Sequence, residues 1–366
     1  MKILEIIPSL RPGGGERLVT DLCNELSKSQ KVILLTLWDD NQQDFDFYKP
    51  DLSENIQYIN AKVNEQKKLK ILWTFVKYIY HIKPDIIHLH MCHMFALLAL
   101  LLLGWKYKFY LTIHNDIRLN YAKRKHKIIF NFFGRLGWLH FITISQTNYK
   151  DFNKIYPKLK NNLVYNGRAP LYKTNKYPDV IKEIKTFKVT NQTKIFLHIA
   201  RCNPQKNQQL LIKSFNKLIS EGFDATLLII GAHFNDSKAG KELQQIACDK
   251  IHFLGTRTNV SDYIFNADAF CLSSLFEGMP ITVIECVNTG IPIISTPVCG
   301  VIDIIKDGQN GIISKNYDIS SYTESLKRFF IEESQLKNKS LTNMINNPFT
   351  IESCSDNYLR IFKSKY

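Results

Sequence analysis

Short β-rich apolar runs alternate along the whole chain with longer segments whose apolar residues recur at helical spacing. This alternation is typical of βα units wound around a parallel sheet. In the first half, six runs predict strands, at 2–7, 31–37, 85–90, 108–113, 141–144 and 162–164. In the second half, five runs do so, at 195–200, 225–230, 251–254, 269–272 and 292–295. A hydrophobic content of 45% argues against disorder, collagen or a coiled coil.

The two series of runs predict two domains, as expected for 366 residues. Between them, residues 169–193 lose periodicity and carry Pro170 and Pro178, which is typical of a linker. We therefore predict two doubly wound, Rossmann-like α/β domains that face each other across a cleft. They would span 1–168 and 194–346, and a terminal helix at 347–366 would return to the first domain. Ligands are expected at the carboxyl ends of the strands.

Basic charge is concentrated in one segment of the first half. The chain carries 48 Lys and Arg against 33 Asp and Glu, a net charge of +15, and residues 101–170 hold 13 basic against 2 acidic side chains. Such a patch indicates an anionic partner, either nucleic acid or a membrane surface.

Cysteine usage and apolar segments indicate the compartment. Eight cysteines are scattered without a Cys-x-x-Cys pair, which is typical of free thiols in a reducing environment. Glu5 interrupts the first apolar run too early for a signal peptide. The most hydrophobic stretch, 95–103, is far shorter than the roughly twenty residues of a membrane span. We expect a cytoplasmic chain with at most a peripheral membrane contact.

Two loops that follow strands are suited to bind anions. Residues 12–17 carry three consecutive glycines before a helix, where backbone N–H groups can approach an anion, although a simple tight turn explains the glycines equally well. After the first strand of the second half, Arg201 and Lys206 flank a turn with a helix predicted to start at Pro204 or Gln205. Two such cations predict a diphosphate clamp, with solvated surface cations as the alternative.

The segment 276–285 carries the most specific pattern. Glu277 lies in a glycine-bearing loop, and Glu285 lies within the following helix, which Pro280 opens and Gly290 closes. Glu277 is suited to accept hydrogen bonds from sugar hydroxyls. Glu285 lies on an otherwise apolar helix face and needs a polar partner if it is buried, which a ribose diol would supply.

Together these segments resemble the retaining glycosyltransferases of family 4, which have the GT-B fold. The resemblance covers essentially the whole chain. It rests on ordered motifs, namely 13–17, 112–115, Asn166-Gly167, Arg201 with Lys206, 253–255, Ala267-Asp268, the E-x7-E pair Glu277 and Glu285, Thr296-Pro297 with Gly300, and 307–311. The loop 202–205 lacks the glycine and leucine common in the family, so the resemblance does not fix its shape.

The resemblance implies a role for each matched residue. Arg201 and Lys206 would bind the donor diphosphate and stabilise it as it leaves. Glu277 would hold the donor sugar, His114 would face that sugar, and Glu285 would bind the nucleotide ribose. The other donor-site residues implied are Gly14, Gly15, Gly255, Thr256, Gly278, Met279, Pro280 and Ile281.

No metal and no other cofactor is expected, because two cations would neutralise the diphosphate. Asp44-Phe45-Asp46 matches the sequence pattern of a metal-binding Asp-x-Asp motif, but its polar surroundings are typical of a solvated loop. His88, His90 and His93 have a spacing that zinc would accept. Histidines that line a cleft or a core explain that spacing better.

The segment 121–138 combines basic and apolar residues. Lys123, Arg124, Lys125 and Lys127 precede an apolar set predicted to share one helical face, namely Ile128, Ile129, Phe132, Phe133 and Leu136. An interfacial helix on an anionic membrane and a core-packed helix with a solvated basic end both fit this pattern.

The predicted function is a retaining, metal-independent hexosyltransferase that uses a UDP- or GDP-type nucleotide sugar. The basic excess lies in the domain expected to bind the acceptor. This favours a lipid-linked or surface-glycan acceptor in polysaccharide biosynthesis, at the inner face of a bacterial plasma membrane. The alternatives are a sugar nucleotide 2-epimerase of the same form, an inactive homologue, and a basic nucleic-acid-binding protein. No recognised nucleic-acid motif is present, so no nucleic-acid partner is expected.

Overall fold

The computed structural model describes residues 1–38, 45–64, 68–90, 97–343 and 347–364, leaving aside the side chains of 68 and 338–343. These residues form two compact units. The first unit comprises Met1–Ala169 and Pro348–Tyr366, and the second comprises Pro170–Asn347. Each unit is a parallel sheet with helices packed against it, so the predicted fold class of two doubly wound α/β domains is confirmed.

A seven-stranded parallel sheet with the order β3-β2-β1-β4-β5-β6-β7 forms the first unit. Its strands are β1 (Lys2–Ile7), β2 (Lys31–Trp38), β3 (Gln57–Val63), β4 (Ile86–His90), β5 (Phe109–Ile113), β6 (Leu139–Thr143) and β7 (Asn161–Leu163). All five residues of β4 and of β5 are buried, because helices cover the sheet on both faces.

The helices of the first unit are α1 (Gly14–Ser27), α2 (Lys68–Ile82), α3 (Leu100–Leu103), α4 (Ile117–Asn120), α5 (Arg124–Arg135), α6 (Gln146–Ile155) and the C-terminal α14 (Ile351–Lys363). Helices α2, α3, α5 and α6 share one apolar core with the sheet. Helix α14 packs against α1. The last helix of the chain is therefore part of the first unit.

A six-stranded parallel sheet with the order β10-β9-β8-β11-β12-β13 forms the second unit. Its strands are β8 (Lys194–Ile199), β9 (Ala225–Ile230), β10 (Ile251–Gly255), β11 (Ala269–Leu272), β12 (Ile293–Ser295) and β13 (Gly311–Ile313). Its helices are α7 (Tyr177–Thr186), α8 (Gln208–Ser220), α9 (Lys238–Gln245), α10 (Val260–Ile264), α11 (Ile281–Asn288), α12 (Val301–Ile304) and α13 (Ile319–Asn343).

Most of the predicted linker, 169–193, belongs to the second unit. Pro178 does not break the chain there, since it lies in the first turn of α7, where proline needs no N–H partner. Val180 and Ile184 of that helix are buried. Thr174 donates its backbone N–H and its hydroxyl to the carboxylate of Asp262, which fastens the segment to α10. The prediction of a linker over this whole stretch is therefore wrong.

Two strands at sheet edges were not predicted. The edge strand β3 is mostly half-exposed and reads Gln-Tyr-Ile-Asn-Ala-Lys-Val, without a continuous apolar run. Strand β13 has three residues and follows the turn at 307–310. Both form by pairing with a longer neighbour, β2 and β12 respectively, which local sequence cannot reveal.

The apolar residues of α5 do not share one face as predicted. Phe130 and Phe133 are buried in the core of the first unit. Ile128, Phe132 and Leu136, spaced four residues apart, are 61%, 51% and 48% exposed. Because residues four apart lie on the same side of a helix, α5 has one face in the core and a second apolar face outside.

Each sheet winds outward in both directions from its first strand. In the first unit this reversal lies between β1 and β4, and in the second it lies between β8 and β11. Loops at the carboxyl ends of such strand pairs diverge and leave a crevice where ligands bind in open parallel sheets. The candidate site residues are positioned by these loops.

Candidate functional site

The loop after β8 positions Arg201 and Lys206. It forms a 3₁₀ turn over Pro204–Lys206, with the side chain of Asn203 accepting a hydrogen bond from the Gln205 N–H at 2.9 Å. Asn207 then adopts a left-handed conformation with φ of 48°, and α8 begins at Gln208. The predicted helix start at Pro204 or Gln205 is therefore three to four residues too early. The turn places Lys206 ahead of α8 instead of within it.

Arg201 lies exposed at the start of this loop, and among the described residues its guanidinium has no hydrogen-bond or ion-pair partner. The backbone around it is fixed from two sides. Gln208 Nε2 donates to the Arg201 carbonyl at 3.0 Å, and Cys202 N donates to the Ala232 carbonyl at 2.8 Å. The cation is therefore held on an ordered backbone while its head group stays available.

Sequence reasoning missed Gly231, which lies beside this loop at the end of β9. A Cβ at this position would lie 3.0 Å from Arg201 N and closer still to the Ala200 carbonyl. Its φ of 157° also belongs to a region that side chains rarely adopt. The signal was a lone glycine after a strand, which does not reveal what approaches it.

The loop after β11 is joined to the loop after β8 by three hydrogen bonds. Ser273 Oγ donates to the Lys206 carbonyl at 2.8 Å. Gln205 Nε2 donates to the Phe276 carbonyl at 2.9 Å, and Leu275 N donates to the Gln205 carbonyl at 2.8 Å. Since β8 and β11 are neighbours, these bonds tie both sides of the crevice together.

Lys206 and Glu277, predicted separately, meet in this crevice. Lys206 Nζ lies 2.7 Å from Glu277 Oε1, and Ser274 Oγ donates to the same oxygen at 2.6 Å. The Glu277 side chain is 7% exposed and the Lys206 side chain 22%. The carboxylate therefore orients the ammonium group at the rim, where an anionic ligand can approach it.

Glycines shape the segment from Gly278 to Ile281. Pro280 is the residue that precedes α11, and Met279 and Ile281 are buried. Gly300 has a φ of 76°, and a Cβ there would lie 2.8 Å from Met279 Cα and closer still to the Gly278 carbonyl. Glycine at 300 is therefore required by the close approach of two backbones. Glu285 lies half-buried within α11.

The implied donor-site residues Gly255 and Thr256 begin the loop after β10, which Gly255 ends with a φ of 67°. Thr256 is exposed. Arg257 Nε donates to the Tyr263 hydroxyl at 3.1 Å, and that hydroxyl donates to Glu183 of α7. The loop thus rests on α10 and α7. Helix α7, which lies within the predicted linker, therefore supports this loop.

His198 lies in β8 beneath these loops and was not singled out in the sequence. Its Nδ1 is 2.9 Å from the Cys271 carbonyl of β11. Burial lowers the pKa of His198 to about 4, and the positive charge of Lys206 contributes to the shift. The imidazole is therefore neutral at physiological pH and adds no charge to the crevice.

Gly14 and Gly15 of the first unit lie in the first turn of α1, not in a loop ahead of it. Arg17 of the same helix pairs with Asp21 and Asp51, and Arg168 pairs with Asp21. Backbone N–H groups in a first helical turn have no carbonyl partner within the helix, an arrangement that suits an anion.

His114 follows β5 and lies in one cluster with His88 and His90, which the sequence analysis singled out for their spacing. Its Nε2 lies 2.9 Å from Nδ1 of His90, whose Nε2 lies 2.8 Å from Oε2 of Glu5 in β1. Nδ1 of His88 also lies 2.8 Å from that oxygen, without hydrogen-bond geometry. Glu5 was not predicted in this role, because its partners are more than eighty residues away.

Glu5, His88 and His90 have donor atoms close enough together to hold a metal ion. His93, the third histidine of the predicted spacing, and Asp44 of the Asp-x-Asp spelling lie outside the described residues. The basic residues Lys123, Arg124, Lys125 and Lys127 are exposed at the start of α5.

Two family models match this chain. "Glycosyltransferase Family 4" matches residues 12–168, and "Glycosyl transferases group 1" matches residues 179–348. An uncharacterised glycosyltransferase of Methanocaldococcus jannaschii is 26% identical over 311 residues, which is 74% of each chain. The Escherichia coli enzyme named UDP-Gal:alpha-D-GlcNAc-diphosphoundecaprenol alpha-1,3-galactosyltransferase is 27% identical over 43% of this chain and 42% of its own.

Solved structures share the fold. Anabaena HepE in complex with UDP and glucose superposes with a TM-score of 0.80 at 14% identity, covering 100% of both chains. A glycosyltransferase from Rickettsia africae gives a TM-score of 0.80 at 16% identity, covering 99% of this chain and 97% of its own. Together with the two family models, these similarities show that the chain belongs to the family 4 glycosyltransferases and has the GT-B fold.

Proposed function

We propose that this glycosyltransferase is a retaining, metal-independent enzyme that moves a sugar from a UDP- or GDP-type nucleotide sugar onto a lipid-linked or surface-glycan acceptor. The observation that carries the proposal is the Lys206–Glu277 pair at the carboxyl ends of β8 and β11, with Arg201 exposed on the same loop as Lys206. This arrangement combines two cations for a diphosphate with a carboxylate for sugar hydroxyls.

Charge complementarity supports a diphosphate donor. Arg201 offers a planar fork of donors, and Lys206 offers a compact ammonium group whose direction Glu277 and Ser274 fix. Both cations would stabilise negative charge as it develops on the leaving phosphate oxygen. The E. coli relative is named for a UDP-sugar donor, and the HepE structure contains UDP, which favours a uridine nucleotide here.

The proposed transfer is a displacement on one face of the donor sugar. The bond between the sugar C1 and the diphosphate oxygen breaks, and its electron pair leaves with the diphosphate. The acceptor hydroxyl oxygen attacks C1 from the same face, and its proton passes to the departing phosphate oxygen, so the configuration at C1 is retained. Glu277 is engaged by Lys206 and Ser274, which suits it to binding and not to attack on C1.

A transfer assay tests this proposal. The purified protein is incubated with radiolabelled UDP-glucose, UDP-galactose, UDP-N-acetylglucosamine or GDP-mannose and an undecaprenyl-diphosphate-linked sugar, with and without EDTA. We expect an α-linked product from one donor, in equal yield with EDTA. A β-linked product would contradict retention, and loss of product with EDTA would contradict metal independence.

Glu285 is expected to bind the ribose of the donor. Replacing Glu285 with alanine should weaken nucleotide binding about 10- to 100-fold, the usual contribution of hydrogen bonds to a charged group, and should change kcat less than Kd. Isothermal titration with the preferred nucleotide measures Kd. Glu242→Ala, on the exposed helix α9, is the matched control and should leave Kd unchanged. Equal Kd values for both variants would contradict the assignment.

The outer face of α5 supports a membrane-bound acceptor. The four basic residues at its start are exposed, and the exposed side chains of Ile128, Phe132 and Leu136 follow them along the same helix. A helix with cations beside an apolar stripe is suited to lie in the headgroup region of an anionic bilayer. Two relatives are named for diphospho-undecaprenol acceptors, which are lipids.

Neighbouring helices extend this face. Trp105 just beyond α3 is 73% exposed, and Trp73 in α2 is 63% exposed. Both helices pack in the same layer as α5. Tryptophan is favoured at membrane interfaces, so these side chains add apolar contact area there. Among the described residues, no helix is long and apolar enough to cross a bilayer, and contact with lipid would be peripheral.

Reversing the charge of Lys123, Arg124, Lys125 and Lys127 to glutamate should abolish binding to anionic vesicles. Each basic residue near such a surface contributes about 1 kcal/mol, so the loss should be at least about 100-fold. Sedimentation with phosphatidylglycerol vesicles measures it, and Lys182, Lys217, Lys238 and Lys241 of the second unit, changed together, are the matched control. Unaltered sedimentation, or unaltered transfer to a lipid-linked acceptor, would contradict the proposal.

A further inference from the structure

A continuous chain of buried polar groups ends at His114. Glu5, His88 and His90 are fully buried, and His114 is 8% exposed. The members lie on β1, β4 and the end of β5, three neighbouring strands at the point where the sheet reverses its winding. His114 is thus the member of the chain that reaches the surface, at the edge where ligands bind in such sheets.

The ionised state of Glu5 determines which imidazole nitrogens in this chain of polar groups carry a proton. Burial alone would raise the pKa of Glu5, but the charge of His88 and the hydrogen bond from His90 lower it to about 2. An ionised carboxylate can only accept hydrogen bonds. His90 therefore carries a proton on Nε2, the nitrogen 2.8 Å from Glu5 Oε2.

The position of the proton on His90 determines the position of the proton on His114. Burial lowers the pKa of His90 to about 4, with a further contribution from His88, so the ring is neutral at physiological pH. A neutral ring protonated on Nε2 has a lone pair on Nδ1. Nδ1 lies 2.9 Å from Nε2 of His114 and accepts a hydrogen bond from it. His114 must then carry its proton on Nε2.

Groups on the other packed elements do not disturb this arrangement. Cys23 of α1, and Cys354 and Tyr358 of α14, lie against the same face of the sheet, and burial raises the pKa of each, so all three are uncharged at neutral pH. Thr112 of β5 bonds to His88 Nε2 at 2.7 Å and to the Tyr358 hydroxyl at 3.1 Å. These contacts engage His88 outside the path from Glu5 to His114.

We propose that Glu5 and His90 are positioning residues that hold His114 in the tautomer protonated on Nε2, so that its unprotonated Nδ1 accepts a hydrogen bond from a hydroxyl of a sugar bound at the carboxyl ends of β4 and β5. The inference rests on the proposed function for the identity of that sugar. Among the described residues, Nδ1 of His114 makes no hydrogen bond. The other tautomer would present an N–H at the same position, and the sugar hydroxyl would then accept the hydrogen bond instead of donating it.

The same donor atoms could hold a metal ion, and the distances favour the hydrogen-bonded chain. The separation of 2.8 Å between Glu5 Oε2 and Nε2 of His90 is that of a carboxylate accepting an N–H bond. His90 also uses both of its nitrogens within the chain. A metal bound to Nε2 would displace the proton on which the tautomer depends.

Nitrogen NMR of protein labelled with ¹⁵N-histidine measures the tautomer directly, without any activity. His114→Gln assigns the signals of His114 among the ten histidines. We expect a protonated Nε2 and an unprotonated Nδ1 on His114 at pH 7. A protonated Nδ1 on His114, or stoichiometric metal in elemental analysis of the same sample, would overturn the inference.

Glu5→Gln tests the constraint at its origin. Its amide can donate to His90 Nε2, which shifts the His90 proton to Nδ1 and the His114 proton to Nδ1 in turn. We expect the inverted tautomer in the spectrum and a 10- to 100-fold lower kcat, with KM changed less than threefold, as for other groups that orient a histidine. An inverted tautomer with unchanged kcat would overturn the role in the reaction.

Tyr358→Phe is the matched control for burial. It removes a buried hydroxyl that bonds to Thr112 and lies outside the path from Glu5 to His114. We expect the tautomer of His114 to be unchanged and kcat to stay within twofold of the wild-type value. If Glu5→Gln does not fold, the wild-type spectrum alone decides. If the protein transfers no sugar from any nucleotide donor, the proposed function fails while the tautomer is still measured, so the two failures are distinct.

Discussion

Replacing Lys206 with alanine is expected to lower kcat by about 10²- to 10³-fold, the usual effect of removing one group that stabilises developing negative charge. Lys206 Nζ lies 2.7 Å from Glu277 at the junction of two loops, where the diphosphate of the donor would lie. Steady-state transfer to the acceptor measures kcat and KM. Arg201→Ala should also lower kcat, for the same reason.

The loss of Lys206 also leaves Glu277 without its cation. That carboxylate is nearly buried and would keep only its hydrogen bond from Ser274, so we expect the free energy of unfolding to fall by about 1–3 kcal/mol. Lys206→Met with Glu277→Gln removes both charges and should recover most of this stability, but not the turnover.

This double variant shows whether the lost stability explains the lost turnover. If the Lys206–Glu277 pair acts only in structure, recovery of the melting temperature should bring back turnover. A double variant that is as stable and as active as the wild type would exclude Lys206 from the reaction. A Lys206→Ala variant with unchanged kcat would do the same.

The fold could be predicted because its signals are local. Apolar runs for β1, β9 and β11 match the structure to the residue, since buried strands of a parallel sheet are continuous apolar segments. The order of the strands and the winding of each sheet required pairing information. The edge strands β3 and β13 exist through that pairing and carry no apolar run of their own.

Parts of the candidate site depend on contacts that spacing along the chain does not encode. Lys206 and Glu277 were each identified from a nearby pattern, but their ion pair joins residues 71 positions apart. Glu5 lies 85 positions from His90. Helix α7 was interpreted as linker because Pro178 was counted as a break, although proline in a first turn starts helices.

Gly300→Ala is expected to have a large effect on the candidate site, although it adds only one methyl group. Its φ of 76° costs a side chain about 1–3 kcal/mol, and the new Cβ would also collide with the backbone of Gly278 and Met279. Overpacking of this kind costs about another 1–3 kcal/mol. The backbone that carries Glu277 would have to move.

Gly222→Ala is the matched control, because Gly222 has a φ of 87° with nothing within 4 Å of the added Cβ. Both variants place a side chain at a positive φ, but only in Gly300→Ala does the new Cβ collide with other backbone atoms. We expect Gly222→Ala to lower the melting temperature by a few degrees and keep full turnover, since about 1 kcal/mol corresponds to roughly 2–4 °C for a unit of this size. Gly300→Ala should lower it further and lose most of its transfer activity. Equal melting temperatures and equal activities in the two variants would mean that the segment 278–279 can shift without consequence, and that its close approach to Gly300 does not position Glu277.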